Sequence, residues 1–146
     1  MSKGDKFIVS ACLAGEKCRY DGKSKPHAEI IKLVKRNKAI PECPEVLGGL
    51  PTPRARAEID NGDGITVLEG KSRIINSTGK DVTDKFVQGA YAVLEIARKE
   101  NVKKAILKSE SPSCGVTIIG KQGHLVAGMG VTAALLAQNG IELEEI

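Results

Sequence analysis

The 146 residues, 41% of them hydrophobic, supply enough apolar material for one compact domain with its own core and too little chain for a second. Aromatic residues are only 3% and Trp is absent, so the core must be aliphatic, and a nucleic-acid surface built on interleaved aromatic and basic side chains is disfavoured. A formal charge of +4 suits small anionic or polar ligands, and no run approaches the roughly 18 apolar residues of a membrane span.

The first apolar run, residues 6–11 (KFIVSA), ends at Cys12 and Gly15 and predicts a buried strand entering a loop. The letters VSAC resemble the end of a lipoprotein leader. A leader needs an apolar region of about 7 to 15 residues before its cleavage site, which residues 7–11 do not provide, so the expected compartment is the cytoplasm. Asp21-Gly22 marks a turn. Over 27–37, Ile30, Ile31, Leu33 and Val34 recur at helical spacing behind Pro26. Residues 39–43 read as a second short strand, and the Gly- and Pro-rich 44–57 (PEVLGGLPTPRARA) as a long shaped loop of functional use.

Residues 58–75 alternate weakly around Asn61-Gly62-Asp63-Gly64 and Glu69-Gly70, as hairpin pieces do. The clearest helix is 83–100, where Phe86, Ala90, Val93, Leu94 and Ala97 form one stripe and Asp81 or Thr83 is available as a cap. A third strand, 105–107, leads into KSESPSCGV (108–116), whose small residues predict an open turn with an uncovered thiol at Cys114. Residues 131–139 read as a last helix closed by Gly140, followed by Ile141-Glu142-Leu143. Strands separated by helices predict an α/β fold: a three-layer, Rossmann-like, mostly parallel central sheet flanked by helices, with 1–146 as a single domain.

Four cysteines in a reducing compartment read as ligands or reactive groups rather than staples. Cys12, Cys43 and Cys114 each follow a predicted strand, and the carboxyl edge of a parallel sheet is where ligands collect. No C-x-x-C knuckle is present, which argues against a structural zinc site. An iron–sulfur cluster accepts widely spaced thiolates and often has proline beside a ligand, as in Cys43-Pro44. Three ligands for four irons would leave one iron open as a Lewis acid with a preference for sulfur. Cys18, between Lys17 and Arg19, stays outside this set, its cationic neighbours fitting a thiolate or a substrate-handling role equally. A zinc site and a non-catalytic sulfur or metal carrier remain open on spacing alone.

The segments VSACLAGEKCRYDGKSK, PECPEVLGGLPTPRARAEI, TGKDVTDKFVQGA, LKSESPSCGV and GVTAALLAQNGIE together resemble the thiouracil desulfidase family over almost the whole chain, most specifically in CPE-x-x-GGLPTPR and SPSCG. The resemblance implies a four-iron, four-sulfur (4Fe-4S) cluster held by three cysteines, here Cys12, Cys43 and Cys114, and non-redox removal of sulfur from thiolated pyrimidines such as 4-thiouracil, 2-thiouracil or thiouridine. It favours Glu45 as the acid–base residue and Ser111 as a second catalytic group. Ser113, Arg19, Tyr20 and Arg54 lie in the matched motifs and are expected to contact substrate, whether by shaping the pocket or by gripping a ribose or phosphate. Arg56 stands between a site role and a solvated one, and His27 and His124 have no partner at ligand spacing. Some members of the family carry a second domain, and this form without it is expected to act on free thiobases, thionucleosides or thiolated tRNA. The alternative functions are a sulfur or metal carrier and a module that binds thiolated tRNA.

Overall fold

The apolar run after Lys6 forms β1 (Phe7–Ser10), and its last residue feeds directly into one turn of 3-10 helix, Ala11–Ala14, closed by Gly15 in the left-handed region at φ 94°. This computed structural model describes residues 6–146. The chain continues through α1 (Ala28–Lys35), β2 (Ala39–Glu42), α2 (Pro44–Leu47), β3 (Ala57–Ile59), α3 (Gly64–Leu68), β4 (Ile74–Asn76) and α4 (Thr83–Lys99). It closes with β5 (Lys104–Leu107), β6 (Ile118–Lys121), β7 (His124–Ala127), α5 (Val131–Gln138) and β8 (Glu142–Glu145).

The central sheet is parallel throughout, in the order β2-β1-β5-β8, with Ile8 opposite Ile40 on one side and Ala105 on the other. Period-two alternation divides its side chains between two cores. Ile8, Ala105 and Leu107 pack with the α4 stripe (Phe86, Ala90, Val93, Leu94, Ala97) and with Val131, Ala133, Leu135 and Leu136 of α5. Val9 and Ile106 point to the other face, where Ile30, Leu33 and Val34 of α1 cover them. Burial on both faces is why these strands read as continuous apolar runs. The expected three-layer α/β architecture is therefore observed.

Two glycines fix how α2 meets α4. A Cβ on Gly48 would collide with the carbonyl of Lys85, and one on Gly89 with the carbonyl of Pro44, so the two backbones touch directly. This contact pins Pro44, and with it Cys43, to the longest helix of the fold.

Two local expectations are corrected. Residues 44–57 do not form one loop: Pro44, pre-set at φ suited to a first helical turn, starts α2, and the irregular segment begins only at Gly48. Asn61–Gly64 is not a hairpin turn, because Asp63 caps α3: its carboxylate accepts from Ile65 N at 3.0 Å while Thr66 Oγ1 accepts from Asp63 N at 3.1 Å. The strands on either side, β3 and β4, still pair antiparallel. A second antiparallel hairpin, β6–β7, was not anticipated, and its two-residue Gln122-Gly123 turn, with φ 52° and 77°, is a weak sequence signal.

Asp81 supports the start of α4 from just outside the helix. Its Oδ1 accepts from the Thr83 amide at 2.9 Å and the Thr83 hydroxyl at 2.6 Å, Oδ2 accepts from Arg73 Nε at 2.8 Å, and Thr83 Oγ1 accepts from Ile74 N at 2.8 Å. Arg73 and then Thr83 hold the Asp81 carboxyl down at about 2. Replacing Asp81 by Ala should cost about 1 kcal/mol, the usual value of a lost cap, and lower the Tm by roughly 2–4 °C at this chain length. Because the folded pKa lies below the unfolded value of about 3.9, the charge-dependent part of this stabilisation is present above pH ~4 and is lost as pH falls toward 2. Melting curves of the wild type and Asp81→Ala should converge over that interval, and a gap that persists unchanged at the acid end would show the carboxylate charge to be irrelevant.

Candidate active site

The chain winds from β1 through α1 to β2 on one side of the sheet and from β5 through α5 to β8 on the other, so β1 and β5 flank the point where the winding reverses. In open α/β sheets the crevice outside the carboxyl ends of the strands at that point binds ligands. Here it is a cavity of about 420 Å³, and Cys12, Cys18, Cys43 and Cys114 all line it. Cys12 lies in the 3-10 turn after β1, Cys43 immediately precedes α2 after β2, and Cys114 sits in the turn beyond β5.

Residues 111–115 form a self-supporting turn. Ser111 Oγ accepts from Ser113 N at 2.9 Å and from Cys114 N at 3.1 Å, and Gly115 N donates to Ser111 O at 3.0 Å. The same turn caps α5. Pro112 O accepts from Val131 N at 2.8 Å, Ser113 O from Thr132 N at 2.9 Å and Gly115 O from Gly130 N at 2.8 Å, which satisfies amides that a helix start leaves unpaired. The approach is close enough that a Cβ on Gly130 would strike the Ser113 backbone.

This packing overturns the expectation of an uncovered thiol. Cys114 is 5% exposed and Cys12 8%, while Cys18 and Cys43 are only half-buried. Ser113 departs from the expected set as well. It is fully buried, its hydroxyl shares a 2.8 Å hydrogen bond with Thr132 Oγ1, and it does not line the cavity, so it fastens the turn to α5 instead of facing a ligand.

Burial raises the Cys12 thiol to about 11, with the charges of Cys43 and Glu45 adding to the effect. Cys114 is pushed well above the ordinary thiol range by burial and then by Glu45, against a hydrogen bond from Ser10. Ser10 is itself fixed, its Oγ accepting from Lys108 N at 2.9 Å. Cys43 is raised and Cys18 lowered, chiefly because the Cys43 thiol donates a hydrogen bond to the Cys18 sulfur. Without a cation to compensate them, Cys12, Cys43 and Cys114 stay protonated at neutral pH.

Arg54 ties the two half-buried thiols' loops together. Its Nη2 donates to Cys18 O at 2.9 Å and lies 3.5 Å from Glu45 Oε2, and its Nη1 donates to Pro51 O and Thr52 Oγ1 at 3.2 and 3.1 Å. With its side chain 7% exposed, Arg54 lines the cavity while both its terminal nitrogens are engaged by the protein itself. Glu45 Oε1 lies 3.8 Å from Cys43 Sγ. Arg19 and Tyr20 line the cavity, and Arg56, whose role the sequence left open, joins them. The Arg19 and Arg56 guanidinium groups lie 5.8 and 5.7 Å from the centre of the Tyr20 ring, within cation–π range. Lys80 and Lys108 are further cations on the wall that sequence reasoning missed, because neither lies beside a cysteine in the chain.

Residues 7–145 match the family model described as 2-thiouracil desulfurase. The chain belongs to that family. A relative from Bacillus subtilis (strain 168), described as the uncharacterized protein YbbK, is 46% identical over 137 residues, covering 92% of this chain and 91% of its own. The solved structure of a [4Fe-4S]-dependent thiouracil desulfidase, TudS, superposes with a TM-score of 0.85 at 39% identity, covering 97% of this chain and 90% of that one. Membership agrees with the likeness carried by the CPE-x-x-GGLPTPR and SPSCG segments, which form the two walls that bring Cys43 and Cys114 together. No helix among the described residues is long and apolar enough to cross a membrane.

Removing the Arg54 guanidinium takes away the cation facing the largely buried Glu45 carboxylate and the 2.9 Å donor to the Cys18 carbonyl. Arg54→Ala should therefore destabilise the protein by roughly 3 kcal/mol in denaturant unfolding, and Arg54→Lys, which cannot reach several acceptors from one plane, should not restore it. A loss under about 0.5 kcal/mol, the ordinary range of surface substitutions, would show that the clamp carries no load.

Proposed function

We propose that this chain is an iron–sulfur-dependent desulfidase that converts a thiolated pyrimidine, such as 4-thiouracil, 2-thiouracil or thiouridine, to its oxo form plus hydrosulfide without net redox change, working as one domain in the cytoplasm. The observation that carries the reading is the meeting of Cys12, Cys43 and Cys114, from three separate strand ends, with Glu45 and Ser111 around one cavity. Family membership supports it, as does the likeness to TudS.

The donor set fits a 4Fe-4S cluster. Its thiols are soft ligands, and they line a cavity of a size ordinary for ligand sites. Burial that disfavours bare thiolates is offset when a metal takes their protons' place. Cys12, Cys43 and Cys114 would hold the cluster, which, when bound, supplies a Lewis-acidic iron with affinity for the thiocarbonyl sulfur.

The remaining chemistry belongs to the protein. The reaction exchanges sulfur for a water oxygen at one ring carbon: the carbon–sulfur bond breaks, a carbon–oxygen bond forms, and hydrosulfide and a proton leave. Glu45, held beside Cys43 with Oε2 facing Arg54, would take the proton from the attacking water or pass one to the ring nitrogen. Ser111 Oγ already accepts two backbone amides, so its own proton is the group left to donate into the cavity, and those two amides strengthen it as a donor. Arg19 and Tyr20 would hold the base, or a ribose or phosphate attached to it.

The test is anaerobic reconstitution with ferrous iron and sulfide, followed by loss of thiopyrimidine absorbance. Wild type should bind about four irons per chain and turn over many equivalents. Cys12→Ala, Cys43→Ala and Cys114→Ala should each lose the cluster spectrum, whereas Glu45→Gln should keep it and lose turnover by roughly 10²–10⁴-fold, the usual contribution of a general base. Activity that survives Cys114→Ala would end the assignment. A single equivalent of sulfur released would identify a carrier, and steeply salt-dependent tRNA binding without turnover a binding module.

A further inference from the structure

Cys18 is the cysteine that the proposed cluster does not use, yet it lines the same cavity and sits against one that the cluster needs. Cys43 Sγ lies 3.7 Å from the Cys18 carbonyl oxygen. The two loops are locked in that relation by Arg54, which donates to Cys18 O at 2.9 Å and to the Tyr20 side of the loop through its own amide, bonded to Tyr20 O at 2.8 Å. The same guanidinium faces Glu45, two residues beyond Cys43. A disulfide requires Cα atoms about 4.4–6.8 Å apart. With the Cys43 sulfur already against the Cys18 backbone, the two residues are immediate neighbours across the cavity wall.

Access separates the four thiols in the same way. Cys12, packed in the core on the α1 face, and Cys114, packed in the core beneath α4 and α5, are buried, while Cys18 and Cys43 are the two half-buried members. An oxidant entering the cavity therefore meets Cys18 and Cys43 first.

We propose that Cys18 and Cys43 are a reversible redox pair: in protein without a cluster, hydrogen peroxide closes them into a disulfide that withdraws Cys43 from metal binding and shields its sulfur from irreversible oxidation. The step balances without a further reagent. The Cys18 sulfur attacks one peroxide oxygen, the O–O bond breaks and water leaves, giving a sulfenic acid. Cys43 then attacks the Cys18 sulfur, the S–O bond breaks, a second water leaves and the S–S bond forms. Two thiols are oxidised by two electrons, one peroxide is reduced, and both thiol protons end in water. A thiol reductant reverses the change. The pairing stands on the geometry alone, whereas its effect on cluster uptake rests on the proposed function.

The experiment uses the full chain, freed of metal with a chelator and treated with a small excess of hydrogen peroxide. Thiols titrated in denaturant should fall from the four of the sequence to two, and return to four with dithiothreitol. Digestion after glutamate should yield residues 17–29 joined to 43–45, separable by reduction. Oxidised wild type should fail to take up iron and sulfide until reduced. Cys18→Ser should form no such link and should lose Cys43 to sulfinic and sulfonic acids that dithiothreitol does not reverse. A crosslink involving Cys12 or Cys114, or an unchanged thiol count while Cys43 is oxidised to higher acids, would overturn the proposal. If the Cys18–Cys43 link forms but reduced protein never acquires a cluster, the redox pair stands and the desulfidase reading fails.

Discussion

The start of α5 and the turn at residues 111–115 depend on one another, and the site depends on both. A helix start carries amides with no partner inside the helix, and no side chain caps α5. The carbonyls of Pro112, Ser113 and Gly115 fill that role from a distant part of the chain. The exchange works only because residue 130 has no Cβ to hold the two backbones apart. Once it is made, Cys114 has a fixed address at the sheet edge, Ser111 is left with a free proton, and the Ser113 hydroxyl is consumed by Thr132. An interaction that appears purely structural thus decides which serine can face a ligand.

A second backbone contact does the corresponding work on the opposite wall. Gly48 against Lys85 and Gly89 against Pro44 seat α2 on α4, so that Cys43 and Glu45 leave the end of β2 in a fixed direction. Arg54 then draws in the Cys18 segment. The cavity is bounded by three such fastenings, none of which uses a functional sulfur as its anchor. The thiols are free for chemistry because the scaffold around them is held by amides, carbonyls and one guanidinium.

The electrostatics follow from burial. A thiolate removed from water without a partner is costly, and Cys12, Cys43 and Cys114 are correspondingly raised. The wall supplies cations, Arg19 and Lys108 among those that act on Cys12, but they do not offset the loss of solvent. Three such thiols around one cavity keep their protons near neutral pH unless a bound cation takes their place. Cys18 differs, being drawn toward the thiolate by the hydrogen bond from Cys43.

Local pattern sufficed wherever a short-range rule governs the outcome. The runs at Phe7 and Lys104 had to be strands buried on both faces, the stripe from Phe86 to Ala97 had to be a helix, and cysteines placed after strands had to gather at one sheet edge. The likeness in CPE-x-x-GGLPTPR and SPSCG added the chemistry. What the sequence alone could not decide was set by contacts between residues far apart in the chain: that Ser113 turns to Thr132, that Cys114 is covered, that Arg54 serves the fold, and that Lys80 and Lys108 join the wall. Spacing along a chain encodes which way a side chain leaves its own strand or helix. Which partner it then meets depends on where another element, tens of residues away, comes to rest, and only the packed tertiary structure determines that.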